Sequence, residues 1–339
     1  MLLNSTGAGD TEFRFLIKKR LQQKKHINTT DNEVLIMTGG QQGLYLLPRV
    51  FVNEGDFILT EELSYAGMLD TVSDFGGRSI AVRTDPDGIN LNALEHAFQA
   101  FPHVRYLYLV PNFNNPTGVT MPLEKRKAVY DLACRYDKLI VEDDPYGYLR
   151  YAGEDVPTIK SLDKENRVIY LGTFSKTVAA GLRVGFMLAP TPIFERAAAN
   201  KASIDSNTPM LNQMICYHCL TDYNFDENIR RIIQIDGNKW RKTKESLLRH
   251  VPENWRISNA EGGLFYFIYM PEGLDESEVF HALLENRVGL VPSSAFSPDP
   301  RHPFGGFRLC FTPMTEEQIE EGAKRFGEVA AKFNEKLMK

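Results

Sequence analysis

No apolar run in this 339-residue sequence approaches the roughly 18 residues needed to cross a bilayer as a helix, so a helical membrane protein is not expected. Cysteine is scarce: Cys134, Cys216, Cys219 and Cys310 are too few and too dispersed for a disulfide framework. Cys216 and Cys219 make a C-x-x-C spacing, but they lie in "PMLNQMICYHCLTD", where apolar residues recur at helical intervals and no second Cys or His pair follows. A buried structural helix is expected there, with His218 as an ordinary helix residue. Neither sign of charge dominates. The net charge of −5 is spread among interspersed acids and bases, which leaves no basic face to track a phosphate backbone and no expected nucleic-acid partner. The opening "MLLNSTGAGD" has neither a basic n-region nor an apolar h-region, and a cytoplasmic protein is expected. Internal repeats and low-complexity segments are missing as well.

What is present is an ordinary globular composition, 43% hydrophobic and 24% charged, which excludes a disordered or collagenous chain. The length suggests about two domains. Between residues 34 and 190 short apolar runs alternate with amphipathic segments: "VLIMT", "DFILT", "RSIAVRT", "VRYLYLVP", "KLIVEDD" and "RVIYLGTF" are each followed by a helical or turn-rich stretch. Such alternation predicts an α/β fold with a mainly parallel sheet covered on both faces. The run "RVGFMLA" follows "RVIYLGTF" too closely for a parallel crossover, so that strand is expected to run antiparallel. After residue 190 come helices, including a long amphipathic one in "DENIRRIIQIDGNKWRKTKESLLRHV". From about residue 253, "WRIS", "GGLFYFIYMP", "SEVFHALLENR", "VGLVP", "GFRLCFT" and a final helix predict a smaller α+β domain. The expected division is 1–235 and 236–339.

One lysine stands apart. In "GTFSKTVAAGLRVGF", Lys176 sits among hydroxyl and apolar residues, and the next charge, Arg183, comes only after six uncharged positions. Ligands of open α/β sheets bind beyond the carboxyl ends of the parallel strands. Four such ends carry chemistry here: "GGQQG" after "VLIMT", "NFNNPTG" after "VRYLYLVP", "DDPYGY" after "KLIVE" and "TFSK" after "RVIYLG". Alone, each reads as a cap or a turn. Together, the glycines allow close backbone approach, the following helix start favours an anion, and adjacent Asp143 and Asp144 supply carboxylates facing opposite ways.

With these motifs the chain resembles the fold-type I pyridoxal 5'-phosphate (PLP) enzymes, and within them the class I/II aminotransferases of the branch holding 2-aminoadipate and kynurenine aminotransferases and MocR-type effector domains. The most specific string is S-K-x(4)-G-L-R-V-G, and the similarity runs over essentially the whole chain. The resemblance implies an aspartate-aminotransferase-like fold with a seven-stranded sheet and a smaller C-terminal domain. It implies transfer of the amino group of an L-amino acid to a 2-oxo acid by a ping-pong Schiff-base mechanism, with a β-lyase or an effector domain as alternatives. By the same resemblance Lys176 binds PLP and serves as base, Asp143 rather than Asp144 faces the ring nitrogen, and Tyr146 and Asn115 donate to the phenolate oxygen. Arg183, Thr173, Ser175, Gly40 and Gln41 take the phosphate, and Tyr65 stacks on the ring. Arg308, expected to open a strand of the small domain, grips the substrate carboxylate together with Asn115. A homodimer is implied too.

Three departures from the family pattern stand out. The resemblance places an N-terminal arm before the start of this sequence and sets Asn4, or nothing, where relatives offer a tyrosine to the neighbouring subunit; poor turnover by this chain is the expectation that follows. "TVAAGLR" lacks a proline that relatives often have, and "TGGQQG" has Gly40 where Ser is common. Both bear on phosphate affinity rather than on mechanism.

Overall fold

The computed structural model describes residues 7–299 and 304–337. Asn4 lies outside the described residues. The chain opens with α1 (Thr11–Lys25), then β1 (Asn32–Met37), α2 (Gly40–Phe51), β2 (Phe57–Glu61), α3 (Ala66–Asp74) and β3 (Arg78–Val82). A small hairpin of β4 (Thr84–Asp85) and β5 (Gly88–Ile89) precedes α4 (Leu91–Ala100), β6 (Tyr106–Leu109), α5 (Leu123–Arg135) and β7 (Leu139–Asp143). Next come α6 (Ile159–Leu162), β8 (Val168–Thr173), β9 (Gly185–Pro190), α7 (Thr191–Asp205), α8 (Met210–Thr221) and α9 (Phe225–His250). The last part holds β10 (Arg256–Ile257), β11 (Phe265–Tyr269), α10 (Glu276–Glu285), β12 (Val291–Pro292), β13 (Gly306–Cys310) and α11 (Glu316–Leu337).

Seven strands form one sheet in the order β1-β9-β8-β7-β6-β2-β3. The steps among β8, β7, β6, β2 and β3 are parallel, whereas β9 runs antiparallel to both β8 and β1, as its short connection requires. Burial on both faces explains the near-continuous apolar strands. Alternation sorts their side chains. Tyr106, Tyr108, Val141, Ile169, Leu171 and Met187 pack on the face covered by α2, α3 and α7, and Leu107, Leu109, Ile140 and Val168 pack on the other with α4 and α5.

Two elements before residue 100 were not anticipated. The first is α1, capped by Asp10, whose carboxylate accepts from the Phe13 N–H, and buried through Phe13, Ile17 and Leu21 against Val34 and Ile36 of β1. The second is the β4–β5 hairpin. In α8, Cys216 is buried in the same cluster as α1, His218 pairs with Asp222 at the surface, and no group of metal-ligating side chains occurs among the described residues.

The C-terminal sheet, in the order β10-β11-β13-β12, is antiparallel and packs with α9, α10 and α11 around Trp255, Tyr266, Phe307 and Phe326. α9 runs from one region to the other. Near its start Asn228 Nδ2 donates to the Thr177 carbonyl at 2.8 Å, while its end packs along α11. No helix among the described residues is long and apolar enough to cross a membrane.

Candidate active site

The chemically loaded stretches converge beyond the ends of β1, β6, β7 and β8. Asp143 closes β7 on the α2-covered face and is buried, and its Oδ2 accepts from the Tyr108 hydroxyl at 2.8 Å. Burial pushes its carboxyl up to about 7, the Tyr108 hydrogen bond acting against that and the Asp144 charge adding to it. Asp144 points the other way. It is tied down by Tyr170 Oη at 2.7 Å and Asn112 Nδ2 at 2.8 Å, with Lys25 Nζ at 3.7 Å. The two neighbours therefore divide: Asp144 is absorbed by the scaffold, and Asp143 keeps a free oxygen on the open side.

Lys176 follows β8 in a tight turn. It is half-buried, and among the described residues it makes no hydrogen bond or ion pair. Burial pulls its amine below the ordinary lysine value; Cys310 acts in the opposite direction, and the cations Arg183 and Arg308 lower it further. Thr173 Oγ1 donates to Ser175 Oγ at 3.0 Å, which sets two hydroxyls side by side on this turn. Across from them Gly39 takes φ +80 at the start of α2, with no side chain capping the helix. A Cβ added there would stand 2.4 Å from Arg183 Nη2, so the guanidinium occupies the space a side chain would need. Arg183 itself is in a left-handed turn residue before β9, and it is exposed rather than enclosed by its apolar neighbours in sequence.

Arg308 corrects an expectation. It lies in the middle of β13, between Phe267 of β11 and Val291 of β12, not at the strand's opening. Its guanidinium is held between the rings of Phe265 and Phe296, at 4.4 and 4.8 Å, and Nη1 donates to Asn115 Oδ1 at 2.9 Å. Its Nε is buried without a partner among the described residues. Asn115 is left with its amide Nδ2 uncommitted. Tyr146 is buried edge-on to Phe265, its hydroxyl raised by burial and then by Asp143. Tyr65 sits at the start of α3 and donates to Gln41 Oε1 at 3.2 Å; after burial, Asp143, Arg308 and Arg183 are the charges its hydroxyl feels most. Gly40 opens α2 beside Thr173.

Every residue expected at the site thus lies in one cluster, which combines two arginines and a lysine with one buried carboxylate. It suits a dianionic ligand that also carries a cationic ring atom. An unpaired amine, a partnerless buried guanidinium N–H and a side-chain-free turn against Arg183 are what PLP and an amino acid carboxylate would complete. Sequence reasoning did not single out Tyr108, Cys310 or the pair Asn112 and Tyr170. Tyr108 had a signal: a tyrosine inside a fully buried strand needs a partner for its hydroxyl.

The description "Aminotransferase class I and II" matches residues 3–326. Aromatic-amino-acid aminotransferase 1 of Thermococcus litoralis is 34% identical over 327 residues, covering 95% of this chain and 78% of that protein. The 2-aminoadipate transaminase of Thermus thermophilus is 35% identical over 307 residues, 89% of this chain and 76% of the relative. Among solved structures, the Pyrococcus horikoshii kynurenine aminotransferase in complex with PMP, KYN and KYA aligns with a TM-score of 0.95 at 34% identity, over 98% of this chain and 83% of that one. The lysine turn, its buried aspartate and these likenesses lead to one conclusion: the chain belongs to the aminotransferase class I and II family and is a PLP-dependent aminotransferase of fold type I.

Proposed function

We propose that the chain moves the amino group of an L-amino acid to a 2-oxo acid at the cluster around Lys176, and that each residue there has a distinct task. When bound, PLP supplies an aldehyde that takes up the substrate's nitrogen and a ring that accepts the electron pair released at Cα. Lys176 would hold that aldehyde at rest. Its amine, weakened as a cation by burial and by Arg183 and Arg308, would take the proton from substrate Cα and deliver it to the former aldehyde carbon on the other side of the shared nitrogen. Asp143 keeps a proton on the ring nitrogen, because a cation beside it relieves the penalty that burial otherwise puts on its charge. Tyr146 and the free Asn115 amide stabilise the phenolate oxygen.

Arg183, Thr173, Ser175, Gly40 and Gln41 bind the phosphate, with Tyr65 against the ring. Arg308 grips the α-carboxylate as a planar fork; Asn115 and the two phenylalanine rings fix its orientation in advance. The substrates of the relatives make aromatic and 2-aminoadipate-like amino acids the first to try. The same reading includes a homodimer, supported by the exposed Leu211 and Ile215 one turn apart on α8, and a cytoplasmic location. It includes a large cofactor-binding domain, 1–235, and a smaller one, 236–339, supported by the separate apolar core of the C-terminal sheet.

The observation that carries the reading is Lys176, a half-buried amine with no partner among the described residues at the meeting point of the other groups. Borohydride reduction of the PLP-saturated protein, followed by peptide mapping, should find the pyridoxyl label on Lys176. Label on another lysine, or none, refutes it.

A further inference from the structure

The turn Thr38–Gly39–Gly40–Gln41 has no cap of its own, since Gly39 brings no side chain to the start of α2. The side chains on either side of it meet at one carboxylate. Thr38 Oγ1, just before the glycines, donates to Asp205 Oδ2 at 2.9 Å; Gln42 Nε2, just after them, donates to the same oxygen at 2.7 Å. Gln42 Oε1 also accepts from the Thr38 N–H at 2.8 Å, closing the turn on itself. One carboxylate oxygen at the end of α7 thus clamps both sides of the turn.

The other oxygen is fixed as well. Asp205 Oδ1 accepts from Lys201 Nζ at 2.6 Å, and Lys201 is fully buried, so the carboxylate cannot rotate without stranding a buried cation. Thr208 Oγ1 lies 3.0 Å from Thr38 Oγ1, and the Thr208 carbonyl accepts from Gln213 Nε2 at 2.6 Å, while Gln213 Oε1 accepts from the Asp10 N–H at 2.8 Å. Thr208 and Gln213 are themselves fully buried. The clamp is therefore rooted in α7, α8 and the start of α1. Burial works against the Asp205 charge, but hydrogen bonds from Lys201, Gln42 and Thr38 outweigh it and hold the carboxyl below its ordinary value.

We propose that Asp205, locked by Lys201, is a positioning residue that holds the Gly39–Gly40 turn against Arg183 in the shape that receives the cofactor's phosphate. The inference rests on the reading of that turn given under the proposed function. Asp205 touches neither cofactor nor substrate; it acts through Thr38 and Gln42. A clamp of this kind affects only ligands that use the turn, which separates it from a general contribution to the fold.

The test uses the full chain freed of cofactor and titrated with two probes, PLP and pyridoxal, the second lacking only the phosphate. Asp205→Asn weakens the carboxylate clamp, and Thr38→Val removes one of its donors while leaving the Lys201–Asp205 pair intact. Both should lose affinity for PLP, by about tenfold for the loss of one such hydrogen bond, with affinity for pyridoxal unchanged. Parallel loss for both probes, or no loss for either, overturns the proposal; should Asp205→Asn fail to fold, Thr38→Val decides alone. If the unmodified chain shows no preference for PLP over pyridoxal, the phosphate reading of the turn falls first, and this inference with it.

Discussion

The end of β7 presents two buried carboxylates on opposite faces of one sheet, and the faces use them differently. On the side of α1 and α5, Asp144 is enclosed by Tyr170, Asn112 and Lys25. On the side of α2, Asp143 has one hydrogen bond, from Tyr108, and its charge is otherwise felt by Tyr65 and Tyr146 of the site. Chemistry at a site needs a group whose hydrogen-bonding capacity the fold has not used up. A charge that is fully partnered stabilises; a charge that is partly partnered can act.

The sharpest way to break this contrast is at the site on the Asp143 face. Lys176→Ala should lower turnover by about 10⁴-fold or more, since it removes the proton-transfer group as well as the attachment point, with the far-UV spectrum and melting temperature little changed. Asp143→Asn is expected to cost roughly 10²–10⁴-fold in turnover while PLP still binds. Single-turnover absorbance measurements would check both. Comparable turnover in Asp143→Asn and the unmodified chain would erase the distinction between the two faces.

Arg308→Ala should weaken apparent amino acid affinity by roughly 10–100-fold, the value of a hydrogen-bonded charge, and Arg308→Lys should recover little of it. Steady-state KM and kcat for an amino acid and for its amine analogue without a carboxylate separate this from a loss of fold. At Asp144 the effect should reverse in kind. Asp144→Asn is expected to retain turnover within tenfold but to lose about 1–3 kcal/mol of stability, because one of its buried partners is left without an acceptor; chemical denaturation measures this.

The last effect is one of pH, and it appears in stability rather than in turnover. In the cofactor-free chain the Asp143 carboxyl titrates near 7, against about 4 when unfolded. Between those values the native state holds a proton that the unfolded state has released, so this group's contribution makes stability fall as pH rises through the window. Asp143→Asn should flatten that fall, raising the melting temperature at pH 8 relative to pH 5 in comparison with the unmodified chain. An identical pH profile in both would mean that Asp143 is not the group responsible.

Much of this was readable in the chain itself, for identifiable reasons. A fully buried strand has to be apolar, so β6, β7 and β8 announce themselves, and a connection too short for a crossover fixes the direction of β9. The polar groups gather after strand ends because that is where a parallel sheet opens. The helix α1 was also legible in principle, with Asp10 as cap, Glu12 in the first turn, Lys24 and Lys25 in the last, and Phe13, Ile17 and Leu21 at intervals of four. What escaped depends on long-range partners. Tyr108 meets Asp143 across 35 residues and Gln42 meets Asp205 across 163, and no local pattern encodes either meeting. The mid-strand position of Arg308 depends likewise on a distant partner, since Gly306 and Phe307 join the strand by pairing with Tyr269 and Ile268 of β11.

The helix α9, 26 residues in one uninterrupted piece, measures about 39 Å at the rise of an α-helix. One end is fastened beside the Lys176 turn through Asn228, and the other is packed into the core beneath the sheet that carries Arg308. It is a rigid strut, and struts convert angle into distance. A tilt of about 5° about the Asn228 anchor would carry the far end by about 3 Å over such a length, the difference between a guanidinium in reach of a carboxylate and one a hydrogen bond too far away. Leverage of this kind would let residues remote from the chemistry set its distances: a substitution along the shared face of α9 and α11 is expected to shift KM for the amino acid without touching the site.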